Sequence, residues 1–282
     1  SIRRQRQMCI RDRNVLELDF FRNALIAVLL VSVASAIIGC YVVTRRLVSI
    51  AGGVTHACFG GLGLGYFLGF NPVLLAGIVA VGSSLGVDWL ERHSKVRSDS
   101  AVAVFWALGM AAGVLFVFLT PGYVPELNAF LFGNILTVTR IDLLTFAVFT
   151  LVLTGYYAVR FPVVTACAFD RDFARVTGLP VTRVTTVMTF FTAVCIVLTI
   201  RLVGVMLLMS MLTLPVMIAE MFVGRMKPLL WLSVAVSAVG CTAGLFLGAV
   251  IDVPASALIV LTLAGMWVIV RLIRFFSGQI GR

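Results

Sequence analysis

Long hydrophobic runs separated by short polar stretches recur from residue 22 to residue 274. Each run holds about 20 residues, enough for a helix rising about 1.5 Å per residue to cross a bilayer core of about 30 Å. The candidate spans are 22–44, 50–69, 72–90, 100–120, 142–160, 185–200, 203–222, 229–249 and 254–274. The pattern predicts an all-α, polytopic membrane protein with about eight to nine transmembrane helices, eight if one segment is re-entrant.

Composition supports this class. Hydrophobic residues make up 61% of the 282 positions and charged residues only 12%, too few to cover a soluble globule of this size. No stretch between the spans is long enough for a separate soluble domain. We expect residues 14–282 to form a single transmembrane domain in contact with lipid.

The first 13 residues are interpreted separately. QMCIRDR at residues 7–13 resembles a translated sequencing-library adapter, so residues 1–13 are taken as a non-native segment. This segment carries five arginines and Asp12, a net charge of +4, which reduces the net charge of +10 to +6 for the rest of the chain. A nucleic-acid partner therefore loses its main support, and none is expected.

Basic residues predict the orientation, because cytoplasmic loops carry an excess of Lys and Arg. For nine spans, one side holds only Arg22, Arg140 and Arg201. The opposite side holds fourteen basic residues: Arg45, Arg46, Arg92, Lys95, Arg97, Arg160, Arg171, Arg175, Arg183, Arg225, Lys227, Arg271, Arg274 and Arg282. That side is predicted to be cytoplasmic, with the C-terminus inside and the N-terminus outside.

Two loops are long enough to carry a function. The outer loop, residues 121–141, contains the apolar segment AFLFGNIL, which suits a short interfacial helix. The inner loop, residues 161–184, contains a predicted short helix that Asp170 caps and Gly178 ends, with Asp170, Ala174 and Gly178 on one stripe. The inner helix is interpreted either as a solvated connector or as a docking element for a soluble partner.

Motifs of common enzyme classes are missing from the sequence. It contains no GxxxxGK[ST], HExxH or GxSxG motif and no paired intramembrane carboxylates. Five cysteines stand singly in apolar sequence, without the spacing of a metal site, and are interpreted as packing residues. An enzyme of this sequence would have to build its site from His56 and an isolated acid.

His56 lies within GGVTHACFGG, where glycines occupy most positions one helical turn away. One row, which includes Gly53, Gly61 and Gly65, is a small-xxx-small pattern that lets a second helix approach closely. His56 is then either a buried polar residue that hydrogen-bonds a neighbour or a cation ligand lining a pathway. The other charges inside or near apolar sequence are Asp88, Arg201, Glu220 and Asp252. Snorkelling accounts for Arg201 and interfacial pairing for Glu220 better than a pathway role, which stays the alternative for Glu220.

Six segments together resemble the integral membrane subunit of bacterial ABC importers for divalent metals, the zinc/manganese/iron permease family, over about residues 22–275. They are RRLVSIAGGVTHACFGG at 45–61, VRSDSAVAVFWALGMAAGVL at 96–115, FLFGNILTVTRIDL at 130–143, FDRDFARVTGLPV at 169–181, IRLVGVMLLMSMLTLPVMIAE at 200–220 and DVPASALIVL at 252–261. The resemblance implies the fold of a type II ABC importer permease in the bacterial inner (plasma) membrane.

The resemblance also implies partners and roles. The partners are a cytoplasmic ABC ATPase subunit, an extracytoplasmic metal-binding protein and a second permease protomer. The helix with Asp170, Ala174 and Gly178 corresponds to the element that couples to the ATPase. The outer segment with Phe132, Gly133 and Asn134 corresponds to a gate, and His56 to a histidine on the metal path.

Three departures from the family pattern concern the path. Gly52 stands where the family has Asp, four residues before the histidine; Gly60 replaces a Pro; and Glu220 replaces an Arg. One imidazole without a carboxylate makes a weaker and softer metal site. Either another helix or the second protomer supplies an acid, with Glu220 a speculative candidate, or the path discriminates little between ions.

The sequence as a whole favours a permease subunit that moves a divalent ion (Mn, Zn or Fe) inward, binds no cofactor itself and leaves ATP to the partner subunit. It is not expected to be an enzyme. A permease for iron chelates or cobalamin is the nearest alternative, and an intramembrane enzyme using His56 and an acid is the alternative of another class.

Overall fold

The computed structural model describes residues 19–93, 98–121, 133, 135, 138–251 and 253–280. These ranges contain ten α-helices and no strand. The helices are α1 (Asp19–Thr44), α2 (Val48–Leu68), α3 (Pro72–His93), α4 (Ser98–Leu119), α5 (Arg140–Phe169), α6 (Arg171–Val176), α7 (Val181–Val203), α8 (Val205–Glu220), α9 (Met226–Ile251) and α10 (Ala255–Ile280).

Eight of these helices are long and apolar enough to cross a membrane: α1 to α5, α7, α9 and α10. Helix α8 is also apolar but has 16 residues. At about 1.5 Å per residue it is about 24 Å long, somewhat less than a bilayer core of about 30 Å. The predicted all-α membrane fold with eight to nine apolar segments is confirmed over the described residues. The number of spans is nine if α8 crosses the membrane and eight if it does not.

Helix α5 is longer than predicted. It continues from the expected end at residue 160 through Pro162 to Phe169, so most of the predicted inner loop before Asp170 is helical. Proline removes one backbone donor, but membrane helices tolerate it where neighbouring groups compensate. The inner connection is therefore a short helix, α6, between two long ones rather than an extended loop.

Helix α8 lies in the interior of the protomer, packed against α1, α7, α9 and α10. Leu207, Leu208 and Met211 are fully buried on it. Close packing requires a small residue on α1, since a Cβ at Gly39 would collide with the carbonyl of Leu212. Small residues at helix contacts are how membrane helices gain packing energy, because lipid supplies no hydrophobic drive between them.

The cysteines pack as the sequence predicted. All five in the described residues, Cys40, Cys58, Cys167, Cys195 and Cys241, are buried and free of disulfides. The Cys58 thiol donates to the carbonyl of Val54 in its own helix at 3.0 Å, which satisfies it locally. Their packing role is confirmed.

Candidate functional site

His56 lies in the middle of α2, eight residues after Val48, or about 12 Å along the helix. Its ring is half-buried and stacks on the indole of Trp106 in α4, with centroids 4.3 Å apart and planes 6° apart. The sequence shows mostly glycines one helical turn from this ring within α2. The indole comes from a different helix, so spacing within α2 could not reveal it.

The glycines on the α4 side of α2 bring the two backbones into contact. A Cβ at Gly60 would lie 2.8 Å from the carbonyl oxygen of Gly109, and one at Gly63 would lie 2.6 Å from that of Gly113. Real Cβ atoms do not approach so closely, so these positions admit only glycine without a shift of backbone. The space beside His56 is therefore closed by α4 on this side.

The predicted packing row divides between two neighbours. Gly53 faces Val102 of α4, whereas a Cβ at Gly61 or Gly65 would lie 2.6 Å from the Leu75 carbonyl oxygen or 2.5 Å from the Pro72 Cα of α3. At about 100° per residue, twelve residues rotate a position by about 120° around the helix. A row spaced by four residues thus begins on one face and ends on another.

Met209 of α8 occupies the place where the carboxylate is missing. Its terminal methyl carbon would lie 3.4 Å from a Cβ at Gly52. Its sulfur is 3.9 Å from the hydroxyl oxygen of Thr55, the residue before His56. Met209 could not be predicted from the sequence, because nothing in α8 alone shows which residue faces α2.

Glu220 does not join His56 within the protomer. It is the last residue of α8 and is exposed. Eleven residues separate it from Met209, or about 16 Å along the helix. No group of three or more His, Cys, Asp or Glu side chains suited to hold a metal ion occurs in the described part of the chain.

Helix α6 has the predicted cap. The Asp170 carboxylate accepts from the backbone N–H groups of Asp172 and Phe173, both at 2.9 Å, and Gly178 has φ +77° just beyond the helix. Ala174, however, is fully buried in the core of the bundle. Of the predicted stripe, Asp170 and Gly178 are exposed, whereas Ala174 anchors α6 to the bundle. The coupling role of these residues stays a prediction.

The exposed apolar side chains of α6 are Phe173 and Val176, with 62% and 88% of their surface exposed. Neither residue is among those predicted from the sequence. Their signal was present, since two large apolar residues alternate with charges on a helix predicted to face water. The Arg171 guanidinium at the start of α6 lies 3.5 Å from the Glu91 carboxylate near the end of α3, and both side chains are partly buried.

The outer segment is described only at Gly133 and Ile135; Phe132 and Asn134 of the expected gate lie outside the described residues. Gly133 has φ +66°, and a Cβ there would collide with the Val203 carbonyl at the junction of α7 and α8. Close by in sequence, Arg201 at the end of α7 pairs with Asp142 at 2.9 Å, where snorkelling was one expectation. Asp142 also completes a capping box with Thr139 at the start of α5.

Comparison with known proteins identifies the family. A family model described as the ABC 3 transport family matches residues 17–274. The chain belongs to this family. It is a multi-pass bacterial membrane protein, as its eight candidate spans and its relatives agree.

Two relatives are named after the metal of their transport system. The manganese transport system membrane protein MntC of Halalkalibacterium halodurans is 27% identical, over 95% of this chain and 90% of that protein. A probable iron transport system membrane protein of Haemophilus influenzae is 29% identical, over 90% of this chain and 93% of that protein. The names differ in the metal, so family membership does not select one.

A solved structure has the same architecture. PsaBC from Streptococcus pneumoniae, in complex with Fab, matches with a TM-score of 0.80 and 25% identity, over 90% of this chain and 92% of that chain. The fold expected from the six segments is confirmed as that of an ABC importer permease.

Proposed function

We propose that this chain is the transmembrane permease subunit of an ABC importer that moves a divalent transition metal ion, of the Mn, Zn or Fe group, into the cytoplasm. Family membership and the metals named in the relatives support this function. The observation that carries it is the half-buried imidazole of His56 midway along α2, because ionisable groups at that depth mark substrate routes.

His56 is suited to transient contact with an ion. Neutral imidazole binds Zn, Fe and related metals, and a single such ligand binds weakly. Trp106 covers one face of the ring and fixes its plane, so its edge stays available. A conduit needs weak sites of this kind, because the ion has to leave as well as enter.

Energy comes from a separate ATPase subunit in this proposal. Phe173 and Val176 on α6 give the ATPase an apolar contact. The Arg171 pair with Glu91 connects α6 to α3. An extracytoplasmic metal-binding protein delivers the ion, and a second protomer completes the path.

The test is ion uptake into proteoliposomes that contain the permease with its ATPase. We expect His56→Ala to reduce ATP-dependent uptake about tenfold or more, since it removes a ligand on the path. His93→Ala is the matched control, because His93 is exposed at the end of α3 and its ring bonds the Trp89 carbonyl of its own helix.

Three results would contradict the proposal. Equal uptake by His56→Ala and the wild type would return His56 to a packing role. Uptake of cobalamin or a ferric chelate in place of free ions would favour the chelate class. Chemical turnover by the purified chain without an ATPase would favour an enzyme.

A further inference from the structure

Helix α8 buries all but one side. Its unburied residues form a stripe at helical spacing, with Leu214 beside it packed against the core. The stripe consists of Met206, Met209, Thr213, Met217 and Glu220, and is called here the open stripe of α8. Met206 and Met217 are 58% and 38% exposed, whereas Met211 on the opposite side is fully buried.

The open stripe adjoins the His56 face of α2. Met209 touches the Gly52 position and lies 3.9 Å from the Thr55 hydroxyl. Gly52 and His56 are four residues apart and so share a helix face. The middle of the stripe therefore lies beside the face of α2 that carries the imidazole.

Contact with lipid does not explain the residues of the open stripe. The stripe ends in the Glu220 carboxylate, which lipid disfavours. The Thr213 hydroxyl carries no such argument, because it donates to the Met209 carbonyl of its own helix at 2.8 Å. The most enclosed methionine of the stripe, Met209, packs against α2 rather than projecting away from the bundle. Donor atoms thus follow α8 from Met206 near its start to Glu220 at its end, about 21 Å away along the helix.

The donor chemistry distinguishes between ions. Thioether sulfur is soft and neutral, imidazole is intermediate, and carboxylate oxygen is hard. Gly52 supplies no carboxylate beside His56, and the Met209 side chain packs against that position with its sulfur 3.9 Å from the Thr55 hydroxyl. Softer ions such as Zn²⁺ gain more from nitrogen and sulfur donors than Mn²⁺, which suits oxygen ligands.

We propose that the open stripe of α8 lines the ion path and that Met209, with His56, forms a nitrogen–sulfur contact that favours Zn²⁺ over Mn²⁺. This inference rests on the proposed function, since it assigns an ion class to the same pathway. Glu220 then lies at the inner end of the path rather than in the first contact with the ion. The weakness of neutral donors lets the ion move on toward it.

The experiment measures competition between Zn²⁺ and Mn²⁺ in initial uptake by the complete complex in proteoliposomes. We expect the wild type to prefer Zn²⁺ and Met209→Leu to lower the Zn²⁺/Mn²⁺ uptake ratio about fivefold, because Leu keeps the volume and removes the sulfur. Met211→Leu is the matched control on the buried side of α8 and should leave the ratio unchanged. Met209→Cys retains sulfur and should retain the preference.

The outcomes separate this inference from the proposed function. Wild-type transport without preference for Zn²⁺, or an unchanged ratio in Met209→Leu, overturns the inference and leaves the permease function standing. An equal fall in Met211→Leu also overturns it, as a packing effect. Absence of transport of either ion by the assembled wild-type complex would overturn the proposed function itself.

Discussion

Arg171, the first residue of α6, pairs with Glu91 near the end of α3 across 3.5 Å. The two side chains are 30% and 32% exposed, so water screens this pair less than a fully exposed one. Helix α3 in turn contacts the Gly61 and Gly65 backbone of α2. The pair thus connects the proposed ATPase-docking helix to the helix that bears His56.

Reversing one charge of this pair should weaken coupling. We expect Glu91→Arg to reduce uptake per ATP hydrolysed about two- to fivefold, in line with about 1 kcal/mol or less for a partly exposed pair. Adding Arg171→Glu should recover part of the loss, because the swapped charges attract again. The measurement is the ratio of ions transported to ATP hydrolysed in the reconstituted complex.

The Asp172 and Arg175 pair provides the comparison for this swap. It lies within α6, is largely exposed and does not reach α3. Reversing it should change the coupling ratio little. The proposed connection would be contradicted if the double swap of Glu91 and Arg171 did not raise the coupling ratio above that of Glu91→Arg, while both single variants assemble normally.

Stacking of the Trp106 indole on the His56 ring should support ion uptake. Trp106→Ala frees one face of His56, so we expect uptake to fall about threefold or more, whereas Trp106→Phe keeps a stacking ring and most of the activity. Trp231→Ala is the control, because Trp231 is a largely exposed aromatic residue of α9. Uptake rates measured at equal complex concentration test this, and equal losses in Trp106→Ala and Trp231→Ala would rule out a special role for the stack.

Backbone contact between α2 and α4 should make Gly63 intolerant of any side chain. A Cβ there would lie 2.6 Å from the Gly113 carbonyl oxygen, so Gly63→Ala should destabilise the permease by about 1–3 kcal/mol. Gly155→Ala has open space around its Cβ and should be neutral or slightly stabilising. Thermal unfolding in detergent distinguishes them, and similar midpoints would mean that α2 and α4 are not packed as closely as the structure shows.

The features that could be predicted from the sequence are those that depend on a single segment of the chain. Hydrophobic run lengths located the spans, and the Asp170 cap followed from a short polar pattern. Trp106 and Met209 could not be predicted, because their roles come from which side of one helix meets another. The burial of Ala174 could not be predicted for the same reason, since it depends on how α6 rests on the bundle.

Introducing the missing carboxylate should alter ion preference. A Cβ at Gly52 would lie 3.4 Å from the terminal methyl of Met209, an ordinary contact distance, so Gly52→Asp can be accommodated with a small movement of that flexible side chain. A carboxylate one helical turn from His56 adds a hard oxygen donor on the same face. We expect the Zn²⁺/Mn²⁺ uptake ratio to fall about tenfold, through faster Mn²⁺ transport.

Gly52→Asn separates charge from bulk in this experiment. It has nearly the same shape as Asp and lacks the negative charge, so it should slow uptake of both ions without raising that of Mn²⁺. Combining Gly52→Asp with Met209→Leu replaces sulfur by oxygen beside His56 and should give the lowest ratio of the series. If Mn²⁺ uptake fails to rise in an assembled Gly52→Asp complex, or rises equally with Asn, then Gly52 does not face the ion, and the selectivity of the path lies elsewhere.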